Sequence, residues 1–326
     1  MTTFRLLTPE EIKNKSVDCI ALHGEQCGMT DYAVVLGGYS VPSIPPACIQ
    51  NKESTYWLGG DSALDNGGDL IRTIIPQVSA PMQERSDSRR PGIRPVVKFS
   101  EIASKAKTYK QGIETIAEYG HYPQTVMSKE YSQILENRYY NNQLKQTNNT
   151  YTIDTYSTSD IRYSFLPKSV FEYEYNGERY VRIERKPNNY IAHLSDGRKV
   201  EDYEVYWFKV EPVKWYVDEK NDLAVAQKAL VAGIPYKDPD VKINSYTQST
   251  IHQYLNSTFI KEIENGLSKN EIAKKIFEAS KYNFSSEIKR RGRDYYSRNK
   301  VIEVNKSYDE FNAKVSGSNG EVYDVI

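Results

Sequence analysis

Residues 203–230 have the sequence YEVYWFKVEPVKWYVDEKNDLAVAQKAL, the most apolar and aromatic stretch of the chain. In its first half large side chains fall on both faces of a strand, because Tyr203, Val205, Trp207 and Lys209 alternate with Glu204, Tyr206, Phe208 and Val210. We therefore expect a strand that is covered on both sides. Each tryptophan would bury about 150–250 Å² of surface, enough to dominate a core.

The second half of this stretch predicts a hairpin. After Glu211-Pro212 a second apolar run, Val213 to Val217, leads through the turn-forming sequence DEKND to Leu223 and Val225. The two runs before the turn are separated by Pro212, which has no backbone N–H to donate. This hairpin is expected at the centre of a sheet.

Further strands precede this stretch. VFEYEY and RYVRIE flank Asn176-Gly177, the clearest hairpin signal in the chain, because Asn-Gly readily adopts the positive φ of a type I′ turn. YIAHL and RKV, separated by Asp196-Gly197, extend the meander towards residue 203. Short strands are also expected in FRLL, at residues 56–58 and 70–75, and in IRPVVKF, where Pro95 favours an edge strand or a strand start.

Helices are fewer. Thr8-Pro9-Glu10-Glu11 predicts an N-cap, a proline in the first turn and a capping box. Helical spacing predicts an amphipathic helix over 128–147, and a helix capped by Ser249 that ends at Asn265-Gly266. A capping box at 268–271 predicts another. Residues 100–117 favour a modest helix or linker, and the polar QTNNTYTIDTYSTSD favours a loop. The fold class predicted is α+β.

Composition excludes some classes of protein. The 326 residues can bury a real core, and 43 Lys and Arg balance 43 Asp and Glu, so no overall field attracts nucleic acid or a membrane. The start MTTFRLLTPEE has no signal-peptide pattern, and no run of about 18 apolar residues occurs. We expect a cytoplasmic protein without membrane contact. Cys19, Cys27 and Cys48 have no ligand spacing and are expected to be reduced and partly buried.

Several segments resemble a bacterial domain family of unknown function with the C-type-lectin-like fold of formylglycine-generating proteins. They are EYGHYPQTV, PVKWYVDEKNDLAVAQKALVAGIPY, STIHQYLNSTFIKEI, FRLLTPEEI, YWLGG and GIRPVVKF, about a third of the chain. The segments that close the family's domain lie in 1–110 here, and those that open it lie in 111–265. The resemblance therefore implies a permuted core of two half-domains that complete each other. Residues 266–326 are expected to be a basic helical extension.

A glycine-rich loop, GGDSALDNGGD, is the candidate metal site. Its oxygen side chains are of the kind that Ca²⁺ binds, although the spacing matches no EF-hand. The calcium-dependent sugar binding of C-type lectins makes the loop of interest, but we expect a solvated turn. Beyond this Ca²⁺ alternative no cofactor is expected. The candidate ligands are Asp61, Asp65, Asn66 and Asp69.

Two other candidate sites follow from residue type. Trp57, Arg72 and Arg94 would suit a groove for sugars or peptides, although the simpler expectation for Trp57 is a core position. The cluster Lys289, Arg290, Arg291 and Arg293 precedes Tyr295 and Tyr296, a composition that binds nucleic acid, although a solvated appendage or a site for an acidic partner is the simpler interpretation.

The sequence contains no specific catalytic motif. Its four histidines, His23, His121, His193 and His252, are expected to be surface or packing residues, and the cysteine chemistry of the resembled enzymes is not matched. We expect a non-enzymatic binding protein for a carbohydrate, peptide or protein partner. The alternatives are nucleic-acid binding through the basic extension, and an enzyme in which a histidine meets an acid or thiol inside a pocket.

Overall fold

The structure is a computed structural model. For residues 70–75, 80–85, 265 and the segments after 300, the description covers the backbone. The described residues are 2–23, 27–38, 54–61, 70–75, 80–85, 91–153, 169–185, 192–237, 243, 245–265, 301–307, 310–316 and 322–325.

The protein is a mixed α+β structure built on an antiparallel sheet of nine strands. Two three-stranded sheets complete the described β-structure. The strands are β1 (Phe4–Arg5), β2 (Tyr56–Trp57), β3 (Leu70–Ile75), β4 (Ala80–Arg85), β5 (Val96–Lys98), β6 (Lys107–Gln111), β7 (Glu114–Val126), β8 (Lys145–Thr152), β9 (Ser169–Tyr175), β10 (Glu178–Glu184), β11 (Val205–Asp218), β12 (Leu223–Ala226), β13 (Val301–Ser307), β14 (Glu310–Ser316) and β15 (Val322–Val325).

Strand β11 lies at the centre of the large sheet, as its sequence predicts. One edge pairs with β7 along most of its length, and the other pairs with β10 near its start and with β12 near its end. From β12 the sheet continues through β5 to β1, and from β10 through β9 to β8, while β6 pairs with β7. The sheet therefore contains strands from both 1–110 and 111–265.

The sequence suggested two runs separated by Glu211-Pro212, but β11 is a single strand of 14 residues. Pro212 lies opposite His121 of β7, and the register shifts between Phe208 and Val210 and again between Pro212 and Lys214. Such irregularities interrupt the ladder of hydrogen bonds, which is how a strand can tolerate a proline. The strand therefore continues past Pro212 instead of ending there.

The turn predictions hold at two hairpins. Asn176 and Gly177 join β9 to β10 with φ values of 52° and 77°, as a type I′ turn requires. The turn after Asp218 joins β11 to β12. Pro95 precedes β5, which begins at Val96 and pairs with strands on both sides, so its role is at a strand start and not at a sheet edge.

Two loop or helix predictions were wrong in part, and one predicted helix is shorter than expected. Residues 107–111 and 114–126 form the hairpin of β6 and β7, where a helix or linker was expected up to residue 117. Residues 145–152 form β8, where a polar loop was expected. The amphipathic helix ends at Tyr140 and so does not extend to residue 147. These strands are specified by their partners in the sheet, which a local pattern does not reveal.

The described helices are short. Thr8 forms the predicted capping box with Glu11, and the Ser249 side chain caps the helix that begins at Thr250. No helix in the described part of the chain is long and apolar enough to cross a membrane. The helices are α1 (Pro9–Lys13), α2 (Asp18–His23), α3 (Asp31–Val35), α4 (Phe99–Ile102), α5 (Lys129–Tyr140), α6 (Thr250–Tyr254) and α7 (Ile260–Asn265), with a 3₁₀ turn at Tyr246–Gln248 and a π-helical turn at Leu255–Phe259 between α6 and α7.

Both tryptophans of the 203–230 stretch are buried, but they belong to two different hydrophobic clusters. Trp215 belongs to the main core and donates from Nε1 to the carbonyl of Tyr119 at 3.0 Å. Trp207 belongs to a smaller cluster with Leu135 and Tyr180, covered by α5. The expectation of cover on both faces is confirmed for Tyr206, Trp207 and Phe208 in the first half of β11, whereas Pro212 and Lys214 in its second half are exposed and Tyr203 lies outside the strand.

The described part of the predicted helical extension is not helical. Strands β13, β14 and β15 form a three-stranded antiparallel sheet over 301–325. The sequences VIEVNKS and VYDV are rich in β-branched and aromatic residues, and EFNAKVS alternates Phe311, Ala313 and Val315 with polar residues, which favours strands over helices. The helix predicted from the capping box at 268–271 lies outside the described residues.

Candidate binding site

A surface cavity of about 300 Å³ lies at one end of the large sheet. It is enclosed by helix α2, by the turn between β6 and β7, and by the turn between β11 and β12. Among the described residues it combines a thiol, three acids, two lysines and several apolar side chains. The lining residues are Asp18, Cys19, Leu22, Lys110, Ile113, Glu114, Thr115, Tyr216, Val217, Glu219 and Lys220.

The turn after β11 holds α2 in place beside the cavity. The backbone N–H of Asp18 donates to Oδ2 of the buried Asp218 at 2.9 Å. Asn221 donates from Nδ2 to the carbonyl of Ser16 at 2.9 Å and to Asp218 Oδ2 at 2.8 Å. Burial opposes the charge of Asp218, but these hydrogen bonds outweigh it and lower the pKa of that carboxyl. An ionised carboxylate therefore satisfies a free N–H at the start of α2.

Two exposed aliphatic side chains stand at the mouth of the cavity. Ile113 follows Gly112, whose φ of 63° closes the turn between β6 and β7, and its side chain is 83% exposed. Leu22, on α2, is 52% exposed. Exposed leucines and isoleucines are common singly, but two at one cavity mouth form an apolar patch that a ligand can cover.

The carboxylate of Glu114, which lines the cavity, is held by a histidine behind it. His23 Nε2 and Glu114 Oε1 share a hydrogen bond of 2.8 Å. The imidazole also packs on the ring of Tyr216, with the ring centroids 5.0 Å apart. His23 is one helical turn after Cys19 on α2 and does not itself line the cavity, but both of its contacts, Glu114 and Tyr216, do.

The opposite wall is a chain of polar contacts. Lys110 Nζ donates to Thr115 Oγ1, and Thr115 Oγ1 donates to Glu219 Oε1 at 3.1 Å. Lys110 Nζ is also 3.9 Å from Glu219 Oε1, and both side chains are mostly exposed. Exposed ion pairs of this kind contribute little to stability, so their charges can be re-paired with a ligand at small cost.

Cys19 contributes a thiol that is not activated. Its side chain is buried, and burial raises the pKa of the thiol to about 11, against the opposing effect of the Arg94 charge. The thiol is therefore protonated near neutral pH, and the thiolate is the nucleophilic form. Cys19 and Cys27 are both free cysteines, as expected, and Cys48 lies outside the described residues.

The other histidines do not join this cavity. His121 lies in β7 opposite Pro212, and His193 forms an isolated bridge with Lys199. His252 lies on α6, edge-on to the ring of Tyr246 with centroids 5.0 Å apart. Burial lowers the pKa of His252, which favours a neutral packing residue.

The structure places the residues of the predicted groove in the interior. Trp57 is fully buried and packs edge-on against Tyr236, with centroids 5.4 Å apart. Arg94 is buried too. Neither side chain offers a face to a sugar or peptide in solvent, because the core already surrounds them. Arg72 lies on β3, for which the backbone alone is described.

The remaining predicted sites fall mostly outside the described residues. Asp61 is exposed, and its Oδ1 accepts a hydrogen bond of 2.7 Å from the backbone N–H of Tyr246. Asp65, Asn66 and Asp69 are outside the described ranges. So are Lys289, Arg290, Arg291 and Arg293 of the nucleic-acid alternative. Within the described ranges no group of three His, Cys, Asp or Glu residues is arranged to hold a metal ion.

Sequence reasoning missed the cavity because its residues come from three distant segments. One local signal was available in KTYKQGIETIA, where Ile113 follows a turn glycine between two polar flanks. Turn positions usually carry polar residues, so an aliphatic one favours a contact beyond the fold itself. The approach of α2 to Glu114 and Glu219 in the folded protein leaves no pattern in any one segment of the sequence.

Comparison with known proteins found no match, whether to a family model, to a curated protein or to a solved structure.

Proposed function

We propose that this chain is a non-enzymatic binding protein, and that the cavity beside α2 binds a short peptide segment of a protein partner. The observation that carries the proposal is the exposed pair Leu22 and Ile113 at the mouth of a cavity with charged walls. A peptide offers both an aliphatic side chain to this mouth and backbone amides to the walls. Ligand pockets combine apolar lining and a few polar groups in this way.

The polar walls suit a peptide backbone. Glu114 and Glu219 can accept hydrogen bonds from amide N–H groups, while Lys110 can donate to a carbonyl. The Lys110–Glu219 pair is solvent-exposed, which keeps the cost of rearranging it low. The volume of about 300 Å³ fits one or two side chains and not a folded domain.

A peptide suits this cavity better than a carbohydrate does. Sugars stack on open aromatic faces, and the aromatic ring in the described lining, Tyr216, is partly covered by His23. The exposed apolar groups are aliphatic instead. The proposal also includes a C-type-lectin-like fold with permuted halves, which rests on the sequence resemblance. Such a fold would support binding by loops on a rigid sheet.

Peptide display tests the proposal. A random peptide library is selected on the immobilised full chain, and the enriched peptides are measured by titration against wild type, Ile113→Ser and the control Ile134→Ser. Ile134 is an exposed aliphatic residue on α5, away from the cavity. We expect Ile113→Ser to weaken binding about tenfold, since about 1.5 kcal/mol of apolar contact is lost.

Two outcomes would count against the peptide. Equal affinities for the two variants would place the binding elsewhere on the surface. Binding of a glycan panel at this cavity, with no enriched peptide, would instead favour a carbohydrate ligand.

One observation favours an enzyme as the second candidate. Glu114 lines the cavity and shares a hydrogen bond with His23, and a histidine oriented by a carboxylate can act as a general base. Because the Cys19 thiol is protonated, water would be the nucleophile in such a hydrolase. A panel of ester and peptide substrates tests it: turnover that His23→Gln abolishes would support the hydrolase, and no turnover by wild type would remove this candidate.

A further inference from the structure

The large sheet ends in three strands in the described structure, β1, β6 and β8. Side chains bond the outer edges of two of them. Phe4 of β1 donates its N–H to Asn256 Oδ1 and accepts a hydrogen bond from Asn256 Nδ2, both at 2.9 Å. Thr152 of β8 donates its N–H to the Glu262 carboxylate. These contacts satisfy backbone groups that an edge strand otherwise leaves free.

The turn between β6 and β7 determines which backbone groups of β6 face outward. Gly112 and Ile113 form a two-residue loop, and the positive φ of Gly112 is that of the first central residue of a type II′ turn. The two residues that flank this loop therefore exchange hydrogen bonds, and so does every second pair along the ladder. The N–H and C=O groups of Thr108 and Lys110 consequently point away from β7.

None of the described hydrogen bonds reaches these outward backbone groups of β6. The strand pairs with β7 on its inner edge. Four of its five residues are exposed, and Tyr109 is partly exposed. An exposed row of N–H and C=O groups is a template on which another extended segment can pair.

The outer edge of β6 leads to the cavity beside α2. Lys110 and Ile113 both line that cavity, and Ile113 stands at its mouth. Alternate residues of a strand lie on the same face of a sheet. A segment paired with β6 would therefore place every second side chain beside Lys110 and would reach Ile113 at the turn.

The charge of β6 favours an acidic segment. Its sequence, KTYKQ, has two lysines and no acid. Lys107 and Lys110 are 3.6 Å and 3.9 Å from Glu118 and Glu219, long ion pairs in which both lysine side chains are mostly exposed, so these pairs contribute little. Lysines on an edge strand disfavour pairing with a second copy of the same strand. A carboxylate across from them is favourable instead.

We propose that a partner protein adds an extended segment to the outer edge of β6 as a further strand of the sheet. An acidic residue of the segment faces Lys110, and an aliphatic residue on the same side of the segment covers Ile113. Backbone hydrogen bonds to Thr108 and Lys110 hold the segment in place. This inference rests on the proposed peptide binding at the cavity, and it adds the binding mode and the chemistry of the partner.

Amide hydrogen exchange tests the pairing directly. Exchange is measured by NMR on the full chain, free and saturated with the peptide most enriched by display. We expect the Thr108 and Lys110 amides to exchange fast in the free protein and slowly in the complex, while Tyr109 is slow in both because its N–H bonds to β7. Protection of Thr108 and Lys110 in the free protein would mean that the edge is already covered. Either that result or unchanged exchange at saturation would overturn the proposal.

Thr108→Pro removes one outward N–H, and a proline is tolerated on an edge strand where its N–H would face solvent. The matched control is Thr108→Val, which keeps the N–H. We expect Thr108→Pro to weaken binding of the enriched peptide about tenfold and Thr108→Val to leave it unchanged. If the proline variant does not fold, N-methylation of the peptide decides. Methylation of one alternate set of amides should abolish binding and methylation of the other set should not, whereas equal effects of the two sets would reject strand addition.

The two proposals fail in different ways. If Ile113→Ser weakens binding while Thr108→Pro and Thr108→Val bind equally, the peptide occupies the cavity without pairing with β6, and only this inference is rejected. If no peptide binds wild type, both are rejected.

Charge reversal tests the acidic partner. The same random library is selected on wild type and on the double variant Lys107→Glu, Lys110→Glu, with the exposed Lys145→Glu on edge strand β8 as control. We expect acidic residues to be enriched on wild type and on the control, and basic residues on the double variant. The same enriched residues on all three proteins would overturn the acidic assignment.

Discussion

At the scale of single residues, Glu262 is the most unusual acid in the described core. Its carboxylate accepts hydrogen bonds from the Tyr122 and Tyr254 hydroxyls, each at 3.1 Å, and from the backbone N–H of Thr152. Burial raises the pKa of Glu262 to about 7, although these hydrogen bonds oppose it. Tyr32 also lies close, and burial raises its pKa well above the usual range. The carboxyl group of Glu262 therefore titrates near neutral pH.

We predict that stability falls as the pH rises from about 4.5 to 7 because of this residue. The folded pKa is above the ordinary value of 4.5, so the folded protein binds the proton more tightly than the unfolded chain does. The stabilisation is complete below pH 4.5 and is lost as the pH passes 7. Its full size is on the order of 3 kcal/mol. Urea titrations between pH 5 and 8.5 measure it.

The variant Glu262→Gln is the control for this prediction. It should reduce the slope of unfolding free energy against pH in that range, even though its amide disturbs the contact with Thr152 and lowers the overall stability. A wild-type slope that survives in Glu262→Gln would assign the titration to another group.

Cys19 gives a second prediction at this scale. Burial raises the pKa of its thiol to about 11. Alkylation by iodoacetamide should therefore be slow at pH 7.5 and should accelerate as the pH is raised towards the pKa of the thiol. Mass spectrometry of tryptic peptides, with free cysteine as reference, measures the rates. Rapid labelling at pH 7.5 would show an activated thiol and would contradict a protonated Cys19 at neutral pH.

At the scale of elements, helix α7 packs against β7 at a position that requires glycine. A Cβ at Gly120 would lie 2.4 Å from Ile263 Cγ1 and 2.9 Å from the Ile263 carbonyl oxygen, and φ at Gly120 is 71°. Gly120→Ala should therefore cost about 2–4 kcal/mol, from the clash and from backbone strain. Denaturant titration measures this cost.

Gly112→Ala is the matched control for Gly120→Ala. Gly112 has a similar φ of 63°, but a Cβ there would meet nothing within 4 Å. Only the strain remains, about 1 kcal/mol. Equal losses in the two variants would mean that the packing of α7 on β7 is not tight.

Elements with local signals were predictable, and elements specified by distant partners were not. Asn176-Gly177, the Thr8 capping box and the apolar run of β11 each carry their signal within a few residues. Strand β8 has few aliphatic residues, and its pairing with β9 depends on the buried Glu172, which accepts hydrogen bonds from Thr147, Asn149 and Tyr151. A buried acid that lies 21 to 25 residues further along the chain cannot be inferred from the polar composition of β8 itself.

At the scale of the whole molecule, the large sheet joins segments that are far apart in sequence. Strand β5 lies between β1 and β12, and Trp57 packs on Tyr236. The α+β class and the central position of β11 were predictable from alternation and turn chemistry. The cavity beside α2 was not, because residues 18–23, 110–115 and 216–220 meet only in the folded sheet.

These long-range contacts predict that residues 1–110 do not fold alone. Isolated, this fragment lacks β12 and the core residues that cover Trp57, so it should show no cooperative thermal transition. Co-expression with residues 111–326 should restore a folded complex. Circular dichroism and size-exclusion chromatography measure both results, and a cooperative transition in the isolated fragment would establish an independent domain.

The most direct test of the proposed function is a methyl spectrum of isoleucine-labelled protein, titrated with the peptide most enriched by display. We predict that the Ile113 methyl resonance shifts with saturation while that of Ile134 does not move. Ile113 is at the cavity mouth and Ile134 is on α5, so the two methyl groups report on different surfaces. A saturable shift of Ile134 with Ile113 unchanged would contradict peptide binding at the cavity.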